Sequence, residues 1–377
     1  MFDAILLVAY GAPEKLEEVK PFLQSITSGS AIPQARLNAV YERYARFNGV
    51  SPLPAEARKL ADYMRDATAE NDDSRVYLAY IHGSPNVEET LAIAARENAR
   101  NLLVVPCSAF GSAISCLRYR AFVENARNSL QNENDADLTL AFAPPFYDLP
   151  DFQRALADSV LEALAWIDLE SGLFDQQTPH NERLLLFTAH SIPVAYAEPS
   201  RYARQLLAAA DAVARAILAA PAFGGTKPTP RDRATAPFAS PAPLADDFAP
   251  DLVDAAKRAN IRLGFAFQSR SGSPATPWLE PDAREFVREQ AASSPRLKSV
   301  VAVPIGFFFE NMETIYDLDV ELKETCDNLN LSYRRAQCVG ATERVARALA
   351  SLAKLDVSDF PKCRAKENAC DFSCRAR

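Results

Sequence analysis

Short runs of apolar and β-branched residues recur along the chain, separated by longer stretches with helical periodicity. The runs are residues 4–9, 76–81, 102–106, 138–142, 184–189, 261–267, 299–305 and 331–335. Apolar strands that alternate with amphipathic helices are typical of βαβ units, whose sheets are largely parallel and covered on both faces. The pattern predicts an α/β fold of two Rossmann-like domains, each with a four-stranded, mainly parallel sheet flanked by helices.

The eight runs divide evenly, which predicts an N-terminal domain at residues 1–150 and a C-terminal domain at residues 151–345. A Pro/Ala-rich stretch at residues 221–250 has too many prolines for a helix or a central strand, so we interpret it as an exposed insertion. Residues 346–377 comprise the end of a C-terminal helix and a polar, cysteine-bearing tail. Ligands of open parallel sheets bind beyond the carboxyl ends of the strands, so residues that follow strands are the first functional candidates.

Composition excludes several classes of function. A net charge of -8 without a basic cluster argues against a nucleic-acid partner. No apolar run approaches the ~20 residues of a membrane span. The segment MFDAILLVAYG is interpreted as a first strand and not a signal peptide, because Asp3 interrupts it and no basic region precedes it. Seven cysteines without an export signal indicate a reducing compartment, and we therefore expect a cytoplasmic protein.

Two motifs at predicted strand ends carry candidate chemistry. The strand LLLFTAH ends at His190, where an imidazole suits a base or a ligand, or only caps the strand through a backbone hydrogen bond. In the helix GFFFENMETIYDLDVELKE, Glu313, Asp317 and Glu321 follow an i, i+4, i+8 spacing that stacks them on one face. Such a row suits transient handling of a divalent metal, or is a solvated acidic face. Asp319 points elsewhere and is expected to be solvated.

Several blocks, in a fixed order, resemble the signature of the ferrochelatase family. They are RFNGVSPL, FTAHSIP, FQSRSGSPATPWLEPD and PIGF with the acidic helix that follows it. The stretch SAFGSAISCLRYR and the form of the PWLEPD block resemble the ferrochelatases of actinobacteria, which belong to the coproporphyrin branch. The resemblance implies a chelatase-like fold with the active site in the cleft between the domains. It also implies insertion of Fe²⁺, as a substrate, into a porphyrin in haem biosynthesis, with coproporphyrin III favoured over protoporphyrin IX.

The resemblance assigns roles to the acidic row and the histidine. His190 matches the family's active-site histidine, the base that removes pyrrole protons. Glu313 matches its partner acid on the opposite side of the porphyrin and would coordinate or guide iron, with Asp317 and Glu321 as a relay behind it. The expected catalytic pair is therefore His190 and Glu313, and all four residues are expected metal ligands.

For the porphyrin, the resemblance matches Arg43, Tyr44, Ser51 and Tyr119 to positions that touch the macrocycle or its propionates. A cation, hydroxyls and aromatic faces suit a flat anionic ligand, although ordinary helix surface or core stays open for each residue. Peripheral membrane contact would suit a lipophilic porphyrin, but no basic amphipathic helix indicates it. No feature of the sequence indicates an oligomeric state.

Two departures from the family pattern affect the interpretation. Phe309, Glu310 and Asn311 occupy the place where Ser-Asp-His is usual, and residues 28–30 read Ser-Gly-Ser where arginines usually flank a glycine. The first departure leaves a non-catalytic porphyrin- or haem-binding homologue as an alternative. A related chelatase for cobalt or nickel is a further one, although such proteins are usually shorter and lack PWLEPD. The retained histidine and acids favour an active ferrochelatase.

The cysteines divide into a tail group and a body group. Cys363, Cys370 and Cys374 supply three thiols in the tail, and the resemblance implies a [2Fe-2S] cluster with Cys116, in its Ser-Cys-x-x-Tyr context, as the fourth ligand. A zinc site or unliganded thiols stay open for this group. Small core positions are expected for the other three, Cys107, Cys326 and Cys338.

Overall fold

The computed structural model describes residues 2–28, 32–69, 75–134, 137–171, 181–200, 202–221, 248–271, 275–355 and 360. The strands of the first sheet are β1 (Ala4–Ala9), β2 (Arg75–Tyr80), β3 (Asn101–Pro106) and β4 (Thr139–Phe142). Those of the second sheet are β5 (Glu182–His190), β6 (Ile261–Gln268), β7 (Leu297–Val303) and β8 (Ser332–Arg335). The orders are β2-β1-β3-β4 and β6-β5-β7-β8, and every pairing is parallel. The predicted fold of two four-stranded parallel sheets is confirmed.

Helices connect the strands of both sheets. In the first half the α-helices are α1 (Leu16–Ile26), α2 (Gln34–Ala45), α3 (Leu53–Ala69), α4 (Val87–Arg96) and α5 (Arg118–Asn134). In the second half they are α6 (Pro150–Ser171), α7 (Val194–Ser200), α8 (Tyr202–Leu218), α9 (Pro250–Arg258), α10 (Ala283–Ser293), α11 (Lys323–Asn328) and α12 (Glu343–Ser351). A first π-helix (Ala113–Leu117) precedes α5, a second π-helix (Thr314–Leu322) precedes α11, and a 3₁₀ turn (Leu352–Lys354) follows α12.

The apolar runs form strands because both faces of each sheet are covered. All six residues of β1 are buried, and β5 is buried over its whole length except for His190. A parallel strand with helices on both faces gains from apolar residues at every position and not only at alternate ones. The continuous runs in the sequence therefore locate the strands to within two residues.

The chain folds into two compact units. Unit 1 comprises Met1–Phe146, Phe308–Met312 and Gly340–Arg377, and unit 2 comprises Tyr147–Phe307 and Glu313–Val339, as far as their residues are described. The sequence analysis assigned the chain to the second domain as far as residue 345. The structure returns it to unit 1 from Gly340, because α12 packs against α3. The sequence shows that α12 has an apolar face, but it does not show that this face packs against α3.

The short segment Phe308–Met312 also belongs to unit 1. The ring of Phe308 packs edge-on against Phe146 at 5.3 Å, and Met312 joins a cluster with Val19 and Leu23. The side-chain amide of Asn311 donates to the carbonyl oxygen of Phe309 at 3.4 Å. The sequence pattern does not show that these five residues belong to unit 1.

Two predicted features fall largely outside the described residues. Most of the Pro/Ala-rich insertion, at residues 222–247, lies there, as does the tail from residue 361. No helix among the residues that the structure describes is long and apolar enough to cross a membrane.

Candidate metal and proton-transfer site

His190 is the last residue of β5, where two sequence blocks that are far apart in the chain meet. The N–H of Ser191 donates to the carbonyl of Gln268 at the end of β6, at 2.8 Å. The Ser191 hydroxyl donates to the carbonyl of Leu279 at 2.8 Å, and the Leu279 N–H donates to the carbonyl of Ile192 at 3.0 Å. The FTAHSIP and PWLEPD blocks therefore form one hydrogen-bonded structure at the carboxyl edge of the second sheet.

The glycine of the PIGF block allows the chain after β7 to pass against β5. The N–H of Gly306 donates to the carbonyl of Thr188 at 3.1 Å. A Cβ at position 306 would lie 2.5 Å from the Cβ of Ala189, a distance that real Cβ atoms do not show. Any larger residue would therefore displace the segment beside His190.

The acidic row lies on a π-helix where the spacing suggested an α-helix. Glu313 directly precedes the second π-helix, while Leu318 and Leu322 point into the core of unit 2. Each N–H of a π-helix bonds five residues back, which makes its turn wider than that of an α-helix. Apolar positions four residues apart fit either helix, so the sequence could not distinguish them.

His190 and Glu313 form a direct pair. The Nε2 atom of His190 lies 3.4 Å from Oε1 of Glu313, and its Nδ1 lies 2.5 Å from the carbonyl oxygen of Ser191. Burial alone lowers the pKa of His190, but the charge and hydrogen bond of Glu313, the Ser191 carbonyl and the charge of Asp317 together raise it to about 9. The imidazole is thus protonated at neutral pH and donates from both ring nitrogens.

The short distance between these two side chains corrects one expectation. The sequence analysis expected Glu313 on the opposite side of the porphyrin from His190. A flat ring between two groups needs about 7 Å, since each van der Waals contact takes about 3.5 Å. At 3.4 Å, His190 and Glu313 contact each other, which leaves no room for a ring between them in this structure.

Asp317 is buried, with only 7% of its surface exposed, and it accepts a hydrogen bond of 2.5 Å from the hydroxyl of Ser269. Ser269 follows β6 with a backbone φ of 62°, in the left-handed region that costs energy for a residue with a Cβ. The alternative of a solvated acidic face therefore does not hold for Asp317. Sequence reasoning missed Ser269, although it lies inside the FQSRSGSP block.

Glu321 has a guanidinium partner. Nη1 of Arg284 lies 3.1 Å from Oε2 of Glu321, and Nε of the same arginine lies 3.3 Å from Oδ1 of Asp282. Asp282 caps α10 by accepting from the backbone N–H of Arg284 and Glu285. The PWLEPD block thus positions a cation beside the outer acid, a role that the sequence analysis did not assign.

Asp319 points away from the row, as expected, and its side chain is 38% exposed, but it also has a charged partner. Its two carboxylate oxygens accept from Nε and Nη2 of Arg335, the last residue of β8, at 2.7 and 2.8 Å. The pairing occurs because a residue two positions from Asp317 turns to another side of the helix, toward the strand that follows it.

These side chains form a line and not a closed centre. Among the described residues, no three ligating side chains converge into a metal-holding group. Glu313, Asp317 and Glu321 instead contact an imidazole, a hydroxyl and a guanidinium respectively. The roles of His190 and the three acids stay predictions, and the arrangement suits a cation that is handled transiently.

The predicted porphyrin residues all lie in unit 1. Ser51 is buried, and its N–H donates to the carbonyl of Pro13 at 2.9 Å. Tyr119 lies in the core beneath the first sheet, where burial raises the pKa of its phenol. Tyr44 is buried on α2, and Arg43 beside it is half-buried. Their assignment to the porphyrin stays a prediction.

The body cysteines differ in burial. Cys107, Cys326 and Cys338 are buried, as expected. Cys116 lies on the first π-helix, is partly exposed, and donates its thiol hydrogen to the carbonyl of Ser112 at 3.4 Å. The three predicted tail ligands, Cys363, Cys370 and Cys374, lie outside the described residues.

Comparisons with known proteins identify the family. The family model described as Ferrochelatase matches residues 2–356. A protein of Nocardia farcinica named coproporphyrin III ferrochelatase is 32% identical over 356 residues, which cover 93% of this chain and 87% of that protein. A Streptomyces coelicolor protein of the same name is 32% identical, with 93% and 84% coverage.

A solved structure titled SirB from Bacillus subtilis with Fe3+ matches over 94% of this chain and 95% of its own, with 12% identity and a TM-score of 0.46. That likeness is too distant to carry an argument about function. The family model and the curated relatives each span most of the chain, and on that basis the chain belongs to the ferrochelatase family, enzymes that insert iron into a porphyrin.

Proposed function

We propose that this protein inserts Fe²⁺ into coproporphyrin III, with His190 as the proton acceptor and Glu313 as the residue that receives iron. The observation that carries the assignment of residues is the contact between His190 and Glu313 at the end of a row of acids. The names of the curated relatives, coproporphyrin III ferrochelatase, support the substrate.

The charge balance of the pair supports a sequence of events. In the resting protein the carboxylate of Glu313 keeps His190 protonated. An arriving Fe²⁺ binds that carboxylate, removes its attraction for the imidazolium and repels the proton, so His190 becomes neutral. Its Nε2 can then accept a pyrrole proton. Insertion releases two N–H protons for each Fe²⁺ bound, so His190 must pass the first to solvent or to the acids before accepting the second.

Asp317 and Glu321 extend the route away from the pair. Both are carboxylates, the hard ligands that a ferrous ion exchanges readily with water. Their partners are a hydroxyl and a guanidinium, which hold the side chains in place without occupying all their lone pairs. The row thus offers a stepwise path for iron toward Glu313 or for protons away from His190.

The test is an anaerobic insertion assay with Fe²⁺, run on coproporphyrin III and protoporphyrin IX side by side and followed by loss of porphyrin fluorescence. We expect turnover of coproporphyrin III. His190→Ala should lower turnover by 10²- to 10⁴-fold, the usual contribution of a general base, while porphyrin still binds. Glu313→Gln should behave in nearly the same way.

Other results would redirect the proposal. Normal turnover by His190→Ala would remove it as the base. Faster turnover of protoporphyrin IX would change the substrate. Tight binding of both porphyrins without turnover would favour the non-catalytic binding homologue. That alternative rests on Phe309, Glu310 and Asn311, which differ from the residues usual in the family.

We also propose that Cys116, Cys363, Cys370 and Cys374 hold a [2Fe-2S] cluster. Among the described cysteines, the exposure of Cys116 fits a ligand best, since the others are buried and burial raises the pKa of the Cys326 thiol to about 12. A bound cluster would join the tail to Cys116 through iron–thiolate bonds. A reducing cytoplasm would keep these thiols and the ferrous substrate in the required state.

A further inference from the structure

A row of aromatic rings runs through unit 1 beside the carboxyl ends of its first strands. Tyr10 follows β1 and His82 follows β2, and their ring centroids are 4.9 Å apart. Phe22 lies 6.5 Å from Tyr10, Tyr44 lies 6.1 Å from Phe22, and Phe122 lies 5.8 Å from His82. Each pair packs edge to face. Ligands of parallel sheets bind at this edge, so the row lies where a ligand is expected.

A guanidinium lies against the middle of this row. The Cζ atom of Arg118 is 5.9 Å from the centroid of Tyr10, and its Nη2 is 3.5 Å from Nε2 of His82. His82 also contacts the hydroxyl of Ser25 through Nδ1, at 2.8 Å. Burial and the positive charge of Arg118 lower the pKa of His82 to about 4, so its imidazole is neutral and orients the arginine without adding charge.

Arg118 lacks a charged partner in the part of the chain that the structure describes, where no carboxylate forms an ion pair with it. It is half-buried in a protein whose net charge is -8, so acidic residues are abundant. A half-buried guanidinium with no carboxylate beside it keeps N–H donors from which a bound anion can accept. Its planar fork matches a carboxylate.

Two exposed apolar residues flank the arginine. Ile114, on the first π-helix, and Phe122, on α5, stand four residues before and after Arg118, so each lies about one helical turn from it. Their exposed fractions are 41% and 37%, which is high for large apolar side chains. The surface therefore offers one positive charge between two apolar contacts, next to a row of rings.

We propose that Arg118 binds one carboxylate of the porphyrin substrate, with Ile114 and Phe122 against the edge of its ring. An apolar flat body that bears a carboxylate matches each feature of the surface, whereas an inorganic anion leaves the apolar flanks unused. The identity of the ligand rests on the proposed function; the carboxylate site rests on the environment of Arg118.

The test measures binding without chemistry. Metal-free coproporphyrin III is titrated into the full chain without iron, and its fluorescence gives the Kd for wild type, Arg118→Gln, Arg118→Lys and Arg120→Gln. Arg120 is the matched control, because it is two residues away and pairs with Glu124 at 2.7 Å. We expect Arg118→Gln to raise Kd about tenfold or more and to reduce its salt dependence. Arg118→Lys should lie between it and wild type, and Arg120→Gln should match wild type.

A second ligand isolates the carboxylate. The tetramethyl ester of coproporphyrin III has the same ring but no charge, so wild type and Arg118→Gln should bind it equally. An unchanged Kd for coproporphyrin III in both Arg118 variants would overturn the site, as would equal losses in the Arg118 and Arg120 variants. The lysine variant keeps the charge and guards against misfolding of the glutamine variant.

The outcomes separate the two proposals. A protein that binds coproporphyrin III through Arg118 but inserts no iron would refute the proposed function and retain the site. Iron insertion by a protein whose Kd for coproporphyrin III does not depend on Arg118 would support the proposed function and refute the carboxylate site.

Discussion

Each of the three acids in the row of unit 2 has a different side chain as its partner. Glu313, Asp317 and Glu321 would repel one another if they shared one environment. Instead each contacts a group of a different kind, so removing one partner should affect one position in the row.

Ser269→Ala tests this at the middle acid. The change removes the hydroxyl that holds Asp317, and a hydrogen bond to a charged group contributes roughly 1.5–3 kcal/mol. We expect the apparent KM for Fe²⁺ to rise about tenfold, with a smaller change in kcat and none in the KM for porphyrin.

Ser269→Gly is the control for backbone conformation. Glycine also lacks the hydroxyl but adopts the positive φ at this position without strain. It should share the raised KM for Fe²⁺ while unfolding at a higher denaturant concentration than the alanine variant. A normal KM in both variants would show that the hydroxyl does not position Asp317.

At the scale of elements, the site depends on close contacts between the segments that leave β5, β6 and β7. Gly306→Ala should destabilise the protein by about 1–3 kcal/mol, the usual cost of overpacking, because its Cβ would meet Ala189 at 2.5 Å. Denaturant unfolding measures the loss. The double variant Gly306→Ala/Ala189→Gly should recover part of the lost stability, because the Cβ of residue 189 is then absent. If the losses of the two single variants add in the double variant, the contact with Ala189 is not the cause of the destabilisation.

The opposite edge of the second sheet is held by a buried carboxylate. Glu182, at the start of β5, accepts from Ser294 at 2.9 Å and pairs with Arg262 on β6 and with Arg296 just before β7. Burial alone raises the pKa of Glu182, but these three partners outweigh it and hold the pKa below the ordinary value of a glutamate.

A lowered folded-state pKa means that this stabilisation is present above the unfolded-state pKa and is lost as pH falls through the folded one. Glu182→Gln should therefore cost about 2 kcal/mol at pH 7, with a difference from wild type that shrinks below about pH 4. Urea unfolding across pH provides the measurement, with exposed Glu289→Gln as control. A difference that stays constant with pH would contradict the assignment.

At the scale of the whole molecule, the two units share one sheet topology but carry different candidate functional side chains. Both sheets have the same strand order, shifted by four strands. Unit 2 carries the histidine and the acidic row, whereas unit 1 carries the aromatic row, Arg118 and Cys116. The proposed tail ligands lie outside the described residues, and the proposed fourth ligand, Cys116, lies in unit 1.

Cys116→Ser tests the link between the tail and unit 1. Protein purified without oxygen should be red-brown with visible absorption from the cluster, and the serine variant should lose most of this absorption and its iron. Cys326→Ser is the matched control, since Cys326 is buried and should not be a ligand. A colourless, iron-free wild-type protein would contradict the cluster, and equal loss in both variants would contradict the ligand.

The sequence by itself determined the strands and the chemistry-bearing residues. Eight apolar runs located eight strands, most clearly the central strands β1 and β5, because a strand that is buried on both faces is apolar at nearly every position. The edge strand β8 is only partly buried and carries two arginines. The position of His190 at a strand end and the regular spacing of the three acids followed from local pattern alone, since both are properties of one element.

Only the tertiary structure decided which groups meet. The Ser269 hydroxyl and the Arg284 guanidinium reach the acidic row from segments that lie more than thirty residues away, so no local period reveals them. The contact of His190 with Glu313 corrected their expected placement, and the return of α12 to unit 1 corrected the domain boundary. A sequence pattern shows which face of an element is buried, but its partner depends on long-range packing, which the pattern does not encode.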